Sequence, residues 1–307
     1  MIRKLIKALV VSILVLAWAC PVAAMDSSYP LLLGGADKKL QAQLEGLVKK
    51  QGLWRAVQKG ELALLLAIVT DPTQPRMASL NGHKMMYAAS LPKIAILLGA
   101  AVAIESGRLE LNAELHDEIV NMIRYSCNEC ATRVLELVGR EELIELLQSP
   151  EYDFYDPSGE GGLWVGKDYG PSPAYHRDPL NHLSHGATAF QVARFYYKLS
   201  TGTLVSPEYN ALMIEALSNP GIQHKFVKGL QGVKGIKVLR KSGTWKTFHS
   251  DSALVKYNGE TYIIVGLANN KNGGEWLTNL AAPMNRLVQE QKQKKVTTLA
   301  GELQPSR

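Results

Sequence analysis

Cysteine is scarce in this chain, with three in 307 residues, at Cys20, Cys127 and Cys130. That count excludes a disulfide-built scaffold, and two or three thiols make no structural zinc site unaided. Cys127 and Cys130 are spaced C-x-x-C, yet no βαβ pattern of a thioredoxin-like redox domain surrounds them. They read either as a pair oxidised in an exported protein or as two small buried side chains one turn apart at a helix start. The second reading is preferred, because free cysteine is among the most buried residue types. Long membrane-spanning runs are also missing: the apolar stretch at residues 8–19 is shorter than the ~20 residues that cross a bilayer. Internal repeats and low-complexity segments are absent. Aromatics make up only 7% and interleave with no basic stripe, so nucleic acid is not an indicated partner.

What the N-terminus does have is a basic start (Arg3, Lys4, Lys7), that short apolar core, and Val22-Ala23-Ala24, the small-residue pattern of a signal-peptidase site. Residues 1–24 therefore read as a removed signal peptide, and the mature protein as exported, periplasmic or secreted. A lipoprotein anchored through Cys20 is the weaker alternative, since Trp18 sits close beside the cysteine. Removing the leader leaves 31 basic residues against 28 acidic ones, a mild net charge of about +3.

Three short motifs follow in order. Ser90 and Lys93 form S-x-x-K ahead of a stretch apolar on every face, so a serine and an amine lie one turn apart at the head of a buried helix. A serine hydroxyl needs a base to become a nucleophile, and helix-end N–H groups favour a developing oxyanion. Ser126 and Asn128 form S-x-N just after an amphipathic segment. Lys241-Ser242-Gly243-Thr244 is K-[ST]-G in a strand-like stretch that begins at Ile236. Each motif is common alone; the ordered set is the signature of serine acyl-enzymes of the β-lactamase and penicillin-binding type.

Periodicity supplies the framework. Residues 37–58 read as one amphipathic helix, residues 61–70 as a buried strand, and Asn81-Gly82 as a hairpin turn into residues 83–87. Helical signals run from Ser90 to about Ser218, broken by a Gly/Pro-rich loop at residues 149–185. Strands follow at residues 236–244, 252–257 and 261–268, with Asn258-Gly259 as a turn, and a closing helix at residues 275–291. This predicts an α+β fold: an antiparallel β-sheet flanked by N- and C-terminal helices, with an inserted helical lobe. The expected organisation is a catalytic domain at residues 25–291, with an α/β lobe at 25–88 and 219–291, a helical lobe at 89–218, and a flexible tail at 292–307.

Motifs and element order together resemble the serine β-lactamase and penicillin-binding-protein superfamily, nearest to class A β-lactamases, over about residues 37–291. The resemblance implies that Ser90 is acylated, that Lys93 takes part in proton transfer, and that Ser126 passes a proton to the leaving nitrogen. It implies that Lys241 sets the cleft's electrostatics, that Asn128 binds the substrate amide, and that Ser242 receives the substrate carboxylate. Backbone N–H groups of Ser90 and Thr244, beside Gly243, would form the oxyanion hole. Two lysines facing one cleft would depress each other's pKa.

The chain departs from class A in two places. Ser126 follows Ser90 by only 36 positions, so part of one cleft wall is missing. The loop glutamate that activates the deacylating water has no clean counterpart, with Asp178 and Glu160 as the candidates. His176, His182 and His185 in the same loop read as hydrogen-bonded or exposed rather than as metal ligands. Trp164, Tyr169 and Trp245 either line the cleft or pack loop against sheet. Neither metal nor cofactor is expected. The resulting expectation is an exported serine hydrolase opening the amide of a small-molecule β-lactam, with no nucleic acid partner and no membrane insertion after signal cleavage. A D,D-peptidase or esterase acting on peptidoglycan peptides, or a slowly deacylating penicillin-binding sensor, is the alternative.

Overall fold

The computed structural model describes residues 29–302, with side chains through Lys292; the expected signal peptide and Cys20 lie outside the described residues. After a short turn the chain forms helices α1 (Lys38–Lys50) and α2 (Trp54–Gln58), then strands β1 (Leu62–Ile68), β2 (Arg76–Leu80) and β3 (Met86–Tyr87). Four helices follow: α3 (Lys93–Glu105), α4 (Ala113–Arg124), α5 (Asn128–Val138) and α6 (Arg140–Gln148). The long loop carries β4 (Tyr155–Asp156), β5 (Gly161–Gly162), β6 (Trp164–Val165) and β7 (His185–Ala187). Then come α7 (Ala189–Thr201), α8 (Pro207–Leu217), the single turn α9 (Phe226–Gly229), β8 (Lys237–Trp245), β9 (Phe248–Tyr257), β10 (Glu260–Asn269) and α10 (Gly273–Glu302).

The main sheet has order β2-β1-β10-β9-β8 and every pairing in it is antiparallel. β1 is buried along its whole length, which is why it reads as continuously apolar rather than alternating. One face of the sheet packs Leu64, Leu66 and Ile264 against α1 and α10 through Leu40, Leu44, Leu277 and Met284. The other face packs Leu65, Ile263 and Val265 against the helical part, centred on α3 and α7. α3 buries eleven of its residues, from Lys93 to Ile104, and each fully buried large aliphatic contributes roughly 1.5–3 kcal/mol. The fold is α+β, with the antiparallel sheet flanked by terminal helices and the helical part inserted between β3 and β8.

Three expectations change. The helix read over residues 37–58 is two helices, because Gly52 takes φ +72° and reverses the chain between α1 and α2. Asn81 turns the chain, with φ 52°, but no hairpin forms there. β2 pairs with β1, while Met86 and Tyr87 pair with Ala187 and Gly186 in a separate small sheet. β9 begins at Phe248 rather than at residue 252, because the polar run Ser250-Asp251-Ser252 is not a turn but a buried, hydrogen-bonded strand segment. The Asn258-Gly259 turn does join β9 to β10, with φ 49° and 75° at its two residues.

Candidate active site

The three motifs, far apart in sequence, meet in a cleft of about 750 Å³ lined by Ser90, Asn128, Tyr169, His185, Thr244 and Trp245 among others. Ser90 sits in the turn just ahead of α3, and the helix itself begins at Lys93. Ala89 before it holds φ 51°, a left-handed conformation that β-carbon-bearing residues rarely adopt, and one typical of functional turns. Both sides of the turn are pinned. The N–H of Ala88 donates to His185 O at 3.0 Å, and the carbonyl of Ala88 accepts from Ser250 Oγ at 2.7 Å. The Ser90 hydroxyl makes no hydrogen bond among the described residues, which leaves it available to the cleft.

Lys93 is fully buried, and its Nζ donates to Ser126 O at 2.7 Å, Cys127 O at 3.1 Å and Asn128 Oδ1 at 2.8 Å. It also lies 4.5 Å above the Tyr169 ring. Burial lowers its pKa to about 7, so a large share of this amine is neutral at physiological pH. Lys241, equally buried, donates to Ser126 Oγ at 2.9 Å and to Ser242 O at 2.8 Å. Its pKa is pushed well below 10.5, first by burial and then by the positive charge of Lys93. The mutual depression expected of the two lysines is thus a secondary cause at Lys241, and at Lys93 burial is the cause.

Ser126 adopts φ 59° at the corner between α4 and α5, so its carbonyl faces Lys93 while its hydroxyl faces Lys241. The corner is tied by a Cys127–Cys130 disulfide with a Cα–Cα distance of 5.4 Å. The preferred reading of two unpaired cysteines is therefore corrected. Cys127 caps α5 and Cys130 lies one turn on, which brings the sulfurs within bonding reach.

β8 is an outer strand of the sheet, so one of its edges is left free of strand pairing beside Ser90. Gly243 is required at that crossing. A β-carbon there would lie against the Ala88 carbonyl oxygen and within 2.6 Å of the Ser90 nitrogen, a clash with backbone that no side-chain motion relieves. Lys225 anchors the strand from outside the motifs. This residue is buried, holds φ 52°, and donates through Nζ to Gly243 O at 2.5 Å, Thr244 Oγ1 at 2.8 Å and Ser250 O at 3.0 Å. Burial lowers its pKa to about 8. Sequence reasoning missed Lys225, because a lysine in a short polar connection carries no distinguishing pattern. It also missed the buried Arg240–Asp251 pair, bidentate at 2.7 and 2.9 Å, whose Asp251 carboxylate also accepts the Phe226 N–H. An S-D-S triplet looks like a turn until its arginine is found on the neighbouring strand.

The long loop resolves differently from either deacylation candidate. Asp178 is fully buried, and its carboxylate accepts from Tyr155 Oη at 3.1 Å and from the backbone N–H groups of Leu180, Asn181 and Leu183 at 3.1, 2.8 and 2.5 Å. Those four donors occupy it as a loop clamp. Glu160 is exposed and paired with His83. The carboxylate that does line the cleft, Asp168, is held bidentately by Arg140 at 2.8 and 2.9 Å.

His185 is the one loop histidine in the cleft. Its Nε2 lies 2.9 Å from Lys167 O, its ring packs 4.3 Å from Tyr169, and burial lowers its pKa to about 4. His176 faces Glu141 and His182 is exposed, so the three histidines diverge. Trp164 is buried against Tyr155 at 4.5 Å and packs the loop, whereas Tyr169 and the exposed Trp245 line the cleft. The buried Tyr169 hydroxyl has no hydrogen-bond partner among the described residues.

Residues 112–291 match the family profile described as the beta-lactamase enzyme family. The chain belongs to that family. Among solved structures, the β-lactamase family member is similar to PBP-A, with 18% identity over 84% of this chain and 97% of that one and a TM-score of 0.62. A PBP-A variant solved as an acyl-enzyme complex with penicillin G aligns at 19% identity over 84% of this chain and 98% of that one, with a TM-score of 0.60. The β-lactamase of Sphaerobacter thermophilus DSM 20745 aligns at 18% identity over 76% and 95%, with a TM-score of 0.58. At these identities the likeness is one of fold. No curated protein sequence matches the chain. Among the described residues of this β-lactamase family member, no helix is long and apolar enough to cross a membrane.

Proposed function

We propose that the protein is an exported serine hydrolase of β-lactamase type that forms an acyl-enzyme on Ser90, with residues 1–24 removed as a signal peptide. The observation that carries this reading is the pair of buried amines around Ser126, Lys93 on its carbonyl and Lys241 on its hydroxyl, in the cleft that holds Ser90. Neutral Lys93 takes the Ser90 proton while Oγ forms a bond to the β-lactam carbonyl carbon. The oxyanion is received by backbone N–H groups of Ser90 and Thr244. Ser126 then protonates the departing ring nitrogen as the C–N bond breaks, and is itself resupplied from the lysines it touches. Asn128 and Ser242 would bind the substrate amide and carboxylate.

A specific observation favours slow release of the acyl group: Asp178, Glu160 and Asp168 are each engaged elsewhere. A missing positioned base costs about 10²–10⁴-fold in rate. The decisive experiment follows the intact mass of the mature protein during and after exposure to penicillin G. A single adduct on Ser90 that decays slowly is expected. No adduct at any time, together with no hydrolysis, overturns the acyl-enzyme reading. Adducts that form with peptidoglycan-like D-Ala-D-Ala peptides but not with penicillin would favour the peptidase alternative.

A further inference from the structure

A second cavity, of about 890 Å³, lies between α8, the connection after it, and the starts and ends of β8 and β9. It shares no lining residue with the catalytic cleft. Its walls are largely aliphatic, including Ile214, Leu239 and Leu254, and its size falls within the range of small-molecule sites. Two features mark it as more than a packing gap. Asn210 is nine-tenths buried in its wall, and its Oδ1 has no hydrogen-bond donor among the described residues. At the mouth, Lys237 and Lys256 stand directly opposite one another in the β8–β9 ladder. The next pair on the same face is Leu239 and Leu254, so both ammonium groups project from the face that the aliphatic wall occupies.

Like charges directly opposite on one face of a sheet repel. No carboxylate pairs with either lysine among the described residues, although ion pairs are frequent elsewhere on the surface. Apolar walls, a buried acceptor wanting a donor, and two unneutralised cations at the rim together describe one ligand chemistry. We propose that this cavity binds a single-chain amphipathic carboxylate with an N–H or O–H in its body. The chain would lie along Leu239 and Leu254, its donor would meet Asn210 Oδ1, and its carboxylate would sit between Lys237 and Lys256.

N-decanoylglycine supplies all three features and is the probe. Calorimetric titration of the mature protein below the micellar concentration should show one saturable site. Decanoate, lacking the amide N–H, should bind at least threefold more weakly, and decyltrimethylammonium at least tenfold more weakly. The Lys237→Glu/Lys256→Glu variant should lose at least tenfold in N-decanoylglycine affinity, and Asn210→Ala should narrow the preference over decanoate. Penicillin labelling of Ser90 in each variant reports an intact fold independently of the cavity. Unsaturable or multi-site binding, equal affinity for the cationic amphiphile, or unchanged affinity in the labelling-competent double-lysine variant would overturn the proposal.

Discussion

Lys241 reaches across 115 positions of sequence to place its Nζ 2.9 Å from the hydroxyl of Ser126, joining the outer strand of the sheet to the corner between two helices. Lys93 approaches the same residue from the other side, at its carbonyl. Ser126 is therefore the point at which two buried amines exchange influence, and the strained φ of 59° lets one residue face both.

The close crossing of β8 over the nucleophile gives the first prediction. Gly243→Ala puts a methyl group against the backbone of Ala88 and Ser90. It should remove covalent labelling by a fluorescent penicillin almost as fully as Ser90→Ala, while far-UV circular dichroism stays native. Labelling of Gly243→Ala at the wild-type rate would show that the strand has room to move.

The buried amine sets a pH dependence. Acylation requires the neutral form of Lys93, so its rate should rise with pH and level off above about 7, and Lys93→Ala should flatten that profile as well as lower it. Stability follows the same group. The folded pKa lies below the ordinary 10.5, so the unfolded chain binds more protons between pH 7 and that value, and stability contributed by this site should increase across that window. Denaturant unfolding of wild type and Lys93→Met at a series of pH values checks the sign.

Asp178 should behave as a structural residue. Asp178→Asn replaces an acceptor of three backbone N–H groups with a side chain that presents its own N–H to one of them, which should cost about 1–3 kcal/mol. Thermal unfolding should register that loss, while acyl-enzyme decay in the folded fraction stays as in wild type. A long-lived acyl state in the variant beside rapid decay in wild type would assign Asp178 to catalysis instead.

The disulfide closes a loop of four residues directly after Ser126. On the chain-entropy account so small a loop contributes about 2 kcal/mol, and Cys127 O is also an acceptor for Lys93. The double change Cys127→Ser/Cys130→Ser should lower the melting temperature and slow acylation, and reductant should do the same to the native protein and not to the variant.

Much of this was legible in the chain itself, because the relevant signals are local. S-x-x-K before an all-apolar helix, S-x-N at a helix corner, and K-[ST]-G in a strand each carry their setting with them. Strand β1 and the Asn258-Gly259 turn were legible for the same reason. What escaped depends on partners distant in sequence. Asp178 reads as a solvated loop charge until Tyr155 and three backbone donors surround it. Ser250 and Asp251 read as a turn until Ala88 and Arg240 satisfy them inside the sheet. Lys225 has no local signature at all, since its significance is the three acceptors of β8 and β9 that meet at its amine. The cysteine spacing allowed both states, and only the cap geometry at Cys127 brings the sulfurs together.

The two hydrogen bonds at Ala88 carry a further consequence. One comes from the sheet, through Ser250, and the other goes to the long loop, through His185. The turn that holds the nucleophile is thus riveted on both sides rather than draped between them. No local route to disorder is open to it: displacing Ser90 means prising loop from sheet. Catalytic competence and tertiary cohesion are then a single property, and a change that loosens either one at a distance is felt at the serine.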